Sequence, residues 1–134
     1  GYCPFHNTLT PKDVAAARQA YPEALFMAHP ECPPQILALA DTVQSTSGMI
    51  QYAKTSAHHR FIVGTEIGLL YPISKACPEK QFYAASLKMV CPDMKKIGPA
   101  DVKHCLETLT GEVRVPEQIR KKALGAVQKM IDLA

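Results

Sequence analysis

What most limits the fold of this chain is that its apolar residues come in short runs, each ended by a strand-stopping or helix-starting signal. The stretch from Phe26 to Met49 shows the pattern at its densest. Phe26-Met27-Ala28 runs into His29-Pro30-Glu31, a helical segment opens at Pro33-Pro34, and Thr42-Val43 runs into Ser45-Thr46-Ser47-Gly48. Proline offers no N–H to a sheet ladder, so it closes a central strand. Small hydroxyl residues ahead of a helix cap it and leave its first amides facing outward. Phe61-Ile62-Val63, followed by Gly64-Thr65-Glu66, repeats the pattern, and Gln81 to Ala84 makes a fourth apolar run.

Helices are expected between these runs. Thr10-Pro11-Lys12-Asp13 opens one that reaches about Tyr21, with Val14, Ala17 and Tyr21 on one face. A second runs from Pro33-Pro34 to near Asp41, and a third carries Met49, Ile50 and Tyr52. A fourth starts at Gly64-Thr65-Glu66 and continues through Leu69, Leu70 and Ile73, where Pro72 should kink or shorten it. After an irregular segment, Ser86 to Lys96, two capped helices run from Pro99 to about Leu109 and from Pro116 to about Leu133. Apolar runs alternating with helices predict an α/β fold: a three-layer αβα domain on a short four-stranded parallel sheet. The loop 1–9 precedes this core, which spans 10–97, and the helices of 98–134 follow it.

Parallel strands end at a common rim, and in open α/β sheets ligands bind there. His29 to Glu31, Ser45 and Thr46, Gly64 to Glu66 and the Ser86 to Cys91 loop all fall on it. Taken singly, each has a plainer reading. His29 can be a structural hydrogen-bonder, Glu31 an acid favoured by a nearby helix dipole, and Ser45 to Ser47 simple caps. Thr65-Glu66 reads more readily as a helix start than as a site.

The formal charge of +3 is small and evenly spread, which argues against a nucleic-acid partner. No apolar run approaches the roughly 18–20 residues of a membrane span, so no membrane partner is expected. Five cysteines, an odd number, with no export signal argue for reduced thiols or metal ligands in the cytoplasm. Cys77 and Cys105 read as incidental, in a turn and a helix, and Cys32 as a packed thiol. Cys3 and Cys91 differ, because each lies in an irregular loop directly before a proline. Thiolates on rigid loops suit an iron–sulfur cluster or another soft metal, although their separation fits no local motif. The loop-like Gly-Tyr-Cys-Pro opening reads as the continuation of something upstream.

Five motifs in order carry a specific likeness: Gly1-x-Cys3-x-x-His6, His29-Pro30-Glu31-Cys32-Pro33, Ser45-Thr46-Ser47-Gly48-Met49-Ile50, Gly64-Thr65-Glu66-x-Gly68 and Met89-Val90-Cys91-Pro92-x-Met94-Lys95-Lys96. Together they resemble the C-terminal part of quinolinate synthase, over nearly the whole chain. The resemblance implies a condensing transferase that joins iminoaspartate to dihydroxyacetone phosphate, giving quinolinate for NAD biosynthesis. It implies one of three similar α/β domains about a pseudo-threefold axis, each region supplying one cysteine to a [4Fe–4S] cluster whose fourth iron stays open to substrate. By motif, Cys3 and Cys91 correspond to the second and third cluster ligands. His29 and Glu31 correspond to the substrate-binding and proton-transferring pair, Ser45 and Thr46 to binders of carboxylate or phosphate, and His6 to a further active-site group. The first cluster cysteine and the N-terminal domains are absent from this sequence, so the chain alone is expected to be inactive. The alternative expectation is a non-catalytic remnant, or a docking domain, that binds small dicarboxylate or phosphate ligands at the same rim.

Overall fold

The computed structural model describes residues 3–133. Gly1, which opens the first motif, and Ala134, the last position of the C-terminal helical segment, lie outside the described residues. The chain divides into two compact units, meeting between Asp93 and Met94.

In the first unit, helix α1 (Pro11–Ala20) starts at a full capping box. The Thr10 hydroxyl accepts from the Asp13 N–H at 3.2 Å, and the Asp13 carboxylate accepts from the Thr10 N–H at 3.0 Å. Strand β1 (Leu25–Ala28) follows, then a single α turn, α2 (Pro34–Leu37), then β2 (Thr42–Val43). Helix α3 (Thr46–Thr55), capped by Ser45, leads to β3 (Arg60–Gly64). A 3-10 turn, Ile67–Leu69, runs into α4 (Leu70–Ala76), and β4 (Gln81–Ala84) completes the sheet.

All four strands are parallel in the order β2-β1-β3-β4. Alternate side chains go to opposite faces. Phe26, Ala28 and Ile62 pack on one face with Val14 and Ala17 of α1 and Ile36 of α2. Met27, Phe61 and Val63 pack on the other with Met49 and Ala53 of α3 and Ile73 of α4. Burial on both faces explains why the strands read as continuous apolar runs, and the three-layer αβα architecture is the one expected.

Three local expectations need correction. The second helix closes at Leu37 and does not reach Asp41. Leu39 and Ala40 form tight i→i−3 bonds to Ile36 and Leu37, and the Asp41 N–H is drawn to the Phe26 carbonyl at 2.9 Å. The Asp41 carboxylate also accepts from the Phe26 N–H at 2.7 Å, so pairing with β1 ends the helix. Thr65 does not cap the fourth helix. Its N-cap is Leu69, with no side-chain cap; Glu66 instead caps the 3-10 turn before it, its carboxylate accepting from the Gly68 N–H at 2.7 Å, and Pro72 then sits in the first turn of α4, where a missing N–H costs nothing. Cys77 is buried beneath α4 and belongs to the core.

A 3-10 turn, Asp93–Lys95, spans the boundary, and the second unit holds α5 (Pro99–Thr108) and α6 (Glu117–Asp132), close to their expected bounds. Neither helix contains a buried residue, and Ile119, Val127 and Ile131 of α6 are exposed. Among the described residues no helix is long and apolar enough to cross a membrane.

Two tests follow from this packing. A Cβ on Gly64 would stand 2.7 Å from the buried Phe26 ring and 3.1 Å from the Met27 carbonyl. Gly64→Ala is therefore expected to destabilise the fold by about 1–3 kcal/mol, read from the urea midpoint. The Asp13 carboxyl is held below its usual range, chiefly by the Thr10 hydroxyl. A depressed acid stabilises the fold above its unfolded value of 3.8, and that contribution is lost as pH falls through the lower folded value. Asp13→Asn should cost about 1 kcal/mol near neutrality and flatten stability against pH in that acid window, by denaturant titration at several pH values.

Candidate functional site

The loop before α1 is folded by its own backbone. Asn7 donates to the Cys3 carbonyl at 3.1 Å and Thr8 to the Phe5 carbonyl at 3.1 Å, closing a 3-10 turn over His6–Thr8. Buried Leu9 anchors the turn in the core. This places the His6 ring over the ends of β1 and β3. Its Nε2 lies 2.9 Å from the Thr65 hydroxyl, and its plane stacks on His29 with centroids 4.5 Å apart and 16° between planes.

His29 directly follows β1. Its N–H donates to the Gly64 carbonyl at 3.1 Å, which carries the sheet pairing one residue past the strand. A tight turn follows, in which Cys32 N–H donates to the His29 carbonyl at 2.9 Å. Within it the Glu31 N–H donates to His29 Nδ1 at 3.2 Å, so a neutral His29 carries its proton on Nε2. The Glu31 carboxylate stands 3.5 Å from His6 Nδ1 and 3.6 Å from His29 Nδ1, with 51% of its side chain exposed. The Cys3 thiol, a ring nitrogen of His6 and a carboxylate oxygen of Glu31 all lie within 4.8 Å of one another.

Cys91 is fastened to the same rim from the other side. Its N–H reaches the Glu66 carboxylate at 3.4 Å, and the Ile67 N–H donates to the Met89 carbonyl at 2.9 Å. Met89 is buried in the core and fixes the loop. Cys3 and Cys91 are both free thiols of intermediate exposure. Ser45 and Thr46 stand where β2 ends, next to β1, since Gln44 N–H donates to the Ala28 carbonyl at 3.0 Å. There the Ser45 hydroxyl accepts from the Gly48 N–H at 3.2 Å and serves its own helix.

Burial sets the protonation of the group. Burial lowers the His6 pKa, the neighbouring His29 ring lowers it further, and Glu31 opposes both. Burial likewise lowers His29, again opposed by Glu31. Both imidazoles are neutral near pH 7 and able to accept a proton. Burial pushes the Cys32 thiol up to about 11, and its Sγ donates to the Gly64 carbonyl at 3.4 Å, so it is a packed thiol as expected.

Thr65 and Glu66 were expected mainly as a helix start, yet both are buried polar groups that organise the site. Thr65 holds His6, and Glu66 holds the Cys91 loop. Their position directly after the clearest apolar run was the available signal. Thr65→Val keeps the shape but removes the partner of His6 Nε2. Leaving that nitrogen unsatisfied is expected to lower stability by about 1–3 kcal/mol, seen as a lower urea midpoint at unchanged slope.

The family described as quinolinate synthetase A protein matches residues 1–132. The quinolinate synthase of Geotalea uraniireducens is 47% identical over 131 residues, covering 98% of this chain and 43% of the relative. That of Pelobacter propionicus is 48% identical over 131 residues, again 98% of this chain and 43% of the relative. That of Thermodesulfovibrio yellowstonii is 43% identical over 133 residues, 99% of this chain and 44% of the relative. The chain thus spans less than half the length of these relatives.

Proposed function

The chain belongs to the quinolinate synthase family, and from that premise we propose that it is the part of such an enzyme that carries the proton-transfer group and two thiols of the active site. The reaction is the condensation of iminoaspartate with dihydroxyacetone phosphate to quinolinate, in cytoplasmic NAD biosynthesis. The observation that carries this reading is the convergence of His6, His29 and Glu31 on the rim of a parallel sheet, with the Cys3 and Cys91 loops tied to the same rim.

Imine formation and ring closure each require protons to be taken from nitrogen or carbon and delivered to a departing hydroxyl. His29 is suited to the transfer. Its Nδ1 is occupied by the Glu31 N–H, leaving Nε2 as the nitrogen that gives or takes a proton. The half-exposed Glu31 carboxylate, close to both rings, stabilises whichever imidazole becomes charged and can pass a proton to solvent. The first amides of α3, opened by Ser45 and Thr46, suit a substrate carboxylate or phosphate, because helix N-termini attract anions.

The donor set fits a [4Fe–4S] cluster as far as this chain reaches. Cys3 and Cys91 are unpaired, accessible thiols on fixed loops, whereas buried Cys32 is not a candidate. A cluster held by these two cysteines and one from the remainder of the enzyme would supply a Lewis-acidic iron with an open position. The chain alone, at less than half the length of its relatives, is expected to make no quinolinate.

The test uses this chain assembled with the remaining portion of a family member and loaded anaerobically with iron and sulfide. Quinolinate should form from the two substrates, and Glu31→Gln should lower turnover by about 10²–10⁴-fold with the iron–sulfur absorbance retained. Unchanged turnover would remove Glu31 from proton transfer.

A further inference from the structure

Helices α5 and α6 are amphipathic, yet neither buries a residue. At about 100° per residue, Ile119, Leu124, Val127, Met130 and Ile131 fall on one arc of α6, about 140° wide. Arg120, in the first turn of that arc, is drawn back to Glu117 at 2.6 Å. Lys121, Lys122, Gln128, Lys129 and Asp132 take the opposite side. On α5, Val102 and Leu106 stand four residues apart (106 − 102), one above the other. With Ile97, Asp101 and Cys105 they border an apolar hollow of about 340 Å³. All of these large apolar side chains are exposed.

Such helices do not hold themselves together. Helix α5 has 10 residues, and isolated helices shorter than about 12–15 residues are marginal in water. Helix α6 has 16, with Gly125, a poor helix former, in its interior. The ion pairs Lys103–Glu107 and Arg120–Glu117 are exposed, and pairs of that kind add little. Most helix stability in proteins comes from packing an apolar face, and here that face has nothing on it.

Three observations select what covers it. Both helices lie inside residues 1–132 matched by the family, and the relatives align over 131–133 residues. The helices therefore belong to the body common to the family and are not a tail particular to this chain. The chain spans 43–44% of those relatives, so more than half of the enzyme's length lies outside it. An arc of about 140° is the width of a helix that faces a globular core, broader than the seam by which two helices pair.

We infer that the apolar faces of α5 and α6 are the docking surface for the remaining portion of the enzyme, and become part of its core on assembly. The inference rests on family membership and length, and makes no use of the reaction, the cluster or the residues of the rim.

The test is backbone hydrogen exchange, without iron or substrates, on two proteins. One is this chain by itself. The other is this chain joined in one polypeptide to the remaining portion of the Geotalea uraniireducens relative. The amides of α5 and α6 should exchange more than about 100-fold more slowly in the joined protein. Val127→Glu with Ile131→Glu, both at exposed positions, should return α6 to fast exchange while β1 to β4 stay protected. Leu106→Glu should do the same for α5, as a second and separate reading. Equal protection of both helices in the chain by itself would mean that the chain covers them. Protection that rises with the concentration of the chain by itself would mean that a second copy does. Either result, or protection that survives the glutamate substitutions, would overturn the assignment.

Discussion

Gly64 ends β3 opposite Ala28 of β1, and its carbonyl receives both the His29 N–H and the Cys32 thiol. The rest of the site depends on this junction. Because no side chain stands there, the Phe26 ring packs directly over the strand end, and the backbones of β1 and β3 finish in register. His29 and Thr65 then leave the sheet side by side. One imidazole can lie on another only because the two strand ends hold their supports at a fixed spacing.

The site is arranged as two arms reaching this junction from distant parts of the sequence. The first is the turn at Cys3 to Thr8, held by its own backbone bonds and by buried Leu9. The second is the loop at Met89 to Cys91, held by buried Met89 and by the Glu66 carboxylate. Thr65 and Glu66, adjacent at the end of β3, therefore each grip one arm. Placing two polar residues in a buried position is costly unless they are paired. Here their hydrogen bonds offset that cost and convert it into position.

Much of this architecture was legible in the residues. The capping box at Thr10 and Asp13 is a local device, complete within four residues, and local signals of that kind survive folding. Phe61 to Val63 was equally plain, since a strand buried on both faces has no polar alternation to blur it. The second helix misled because Pro33-Pro34 and its apolar residues fit a longer helix. What ends it is the Phe26 backbone claiming both the amide and the carboxylate of Asp41, a contact across fifteen positions that no local pattern records. Cys77 reads as incidental because a turn suggests surface, while the end of α4 carries it into the core beside Ile73.

The sequence by itself determined the succession of strands and helices, the caps at Thr10 and Ser45, and the family to which the ordered motifs belong, because each of these is written in residues close along the chain. It also marked His29, Glu31, Ser45 and Thr46 as residues of one rim, through the fixed polarity of parallel strands. Only the tertiary structure decided that His6 stacks on His29, that Thr65 fixes its ring, and that Glu66 ties down Cys91. Those contacts join residues 23, 59 and 25 positions apart (29 − 6, 65 − 6 and 91 − 66). Distance and direction over such separations arise from packing the sheet, so they exist only once β1 and β3 have paired.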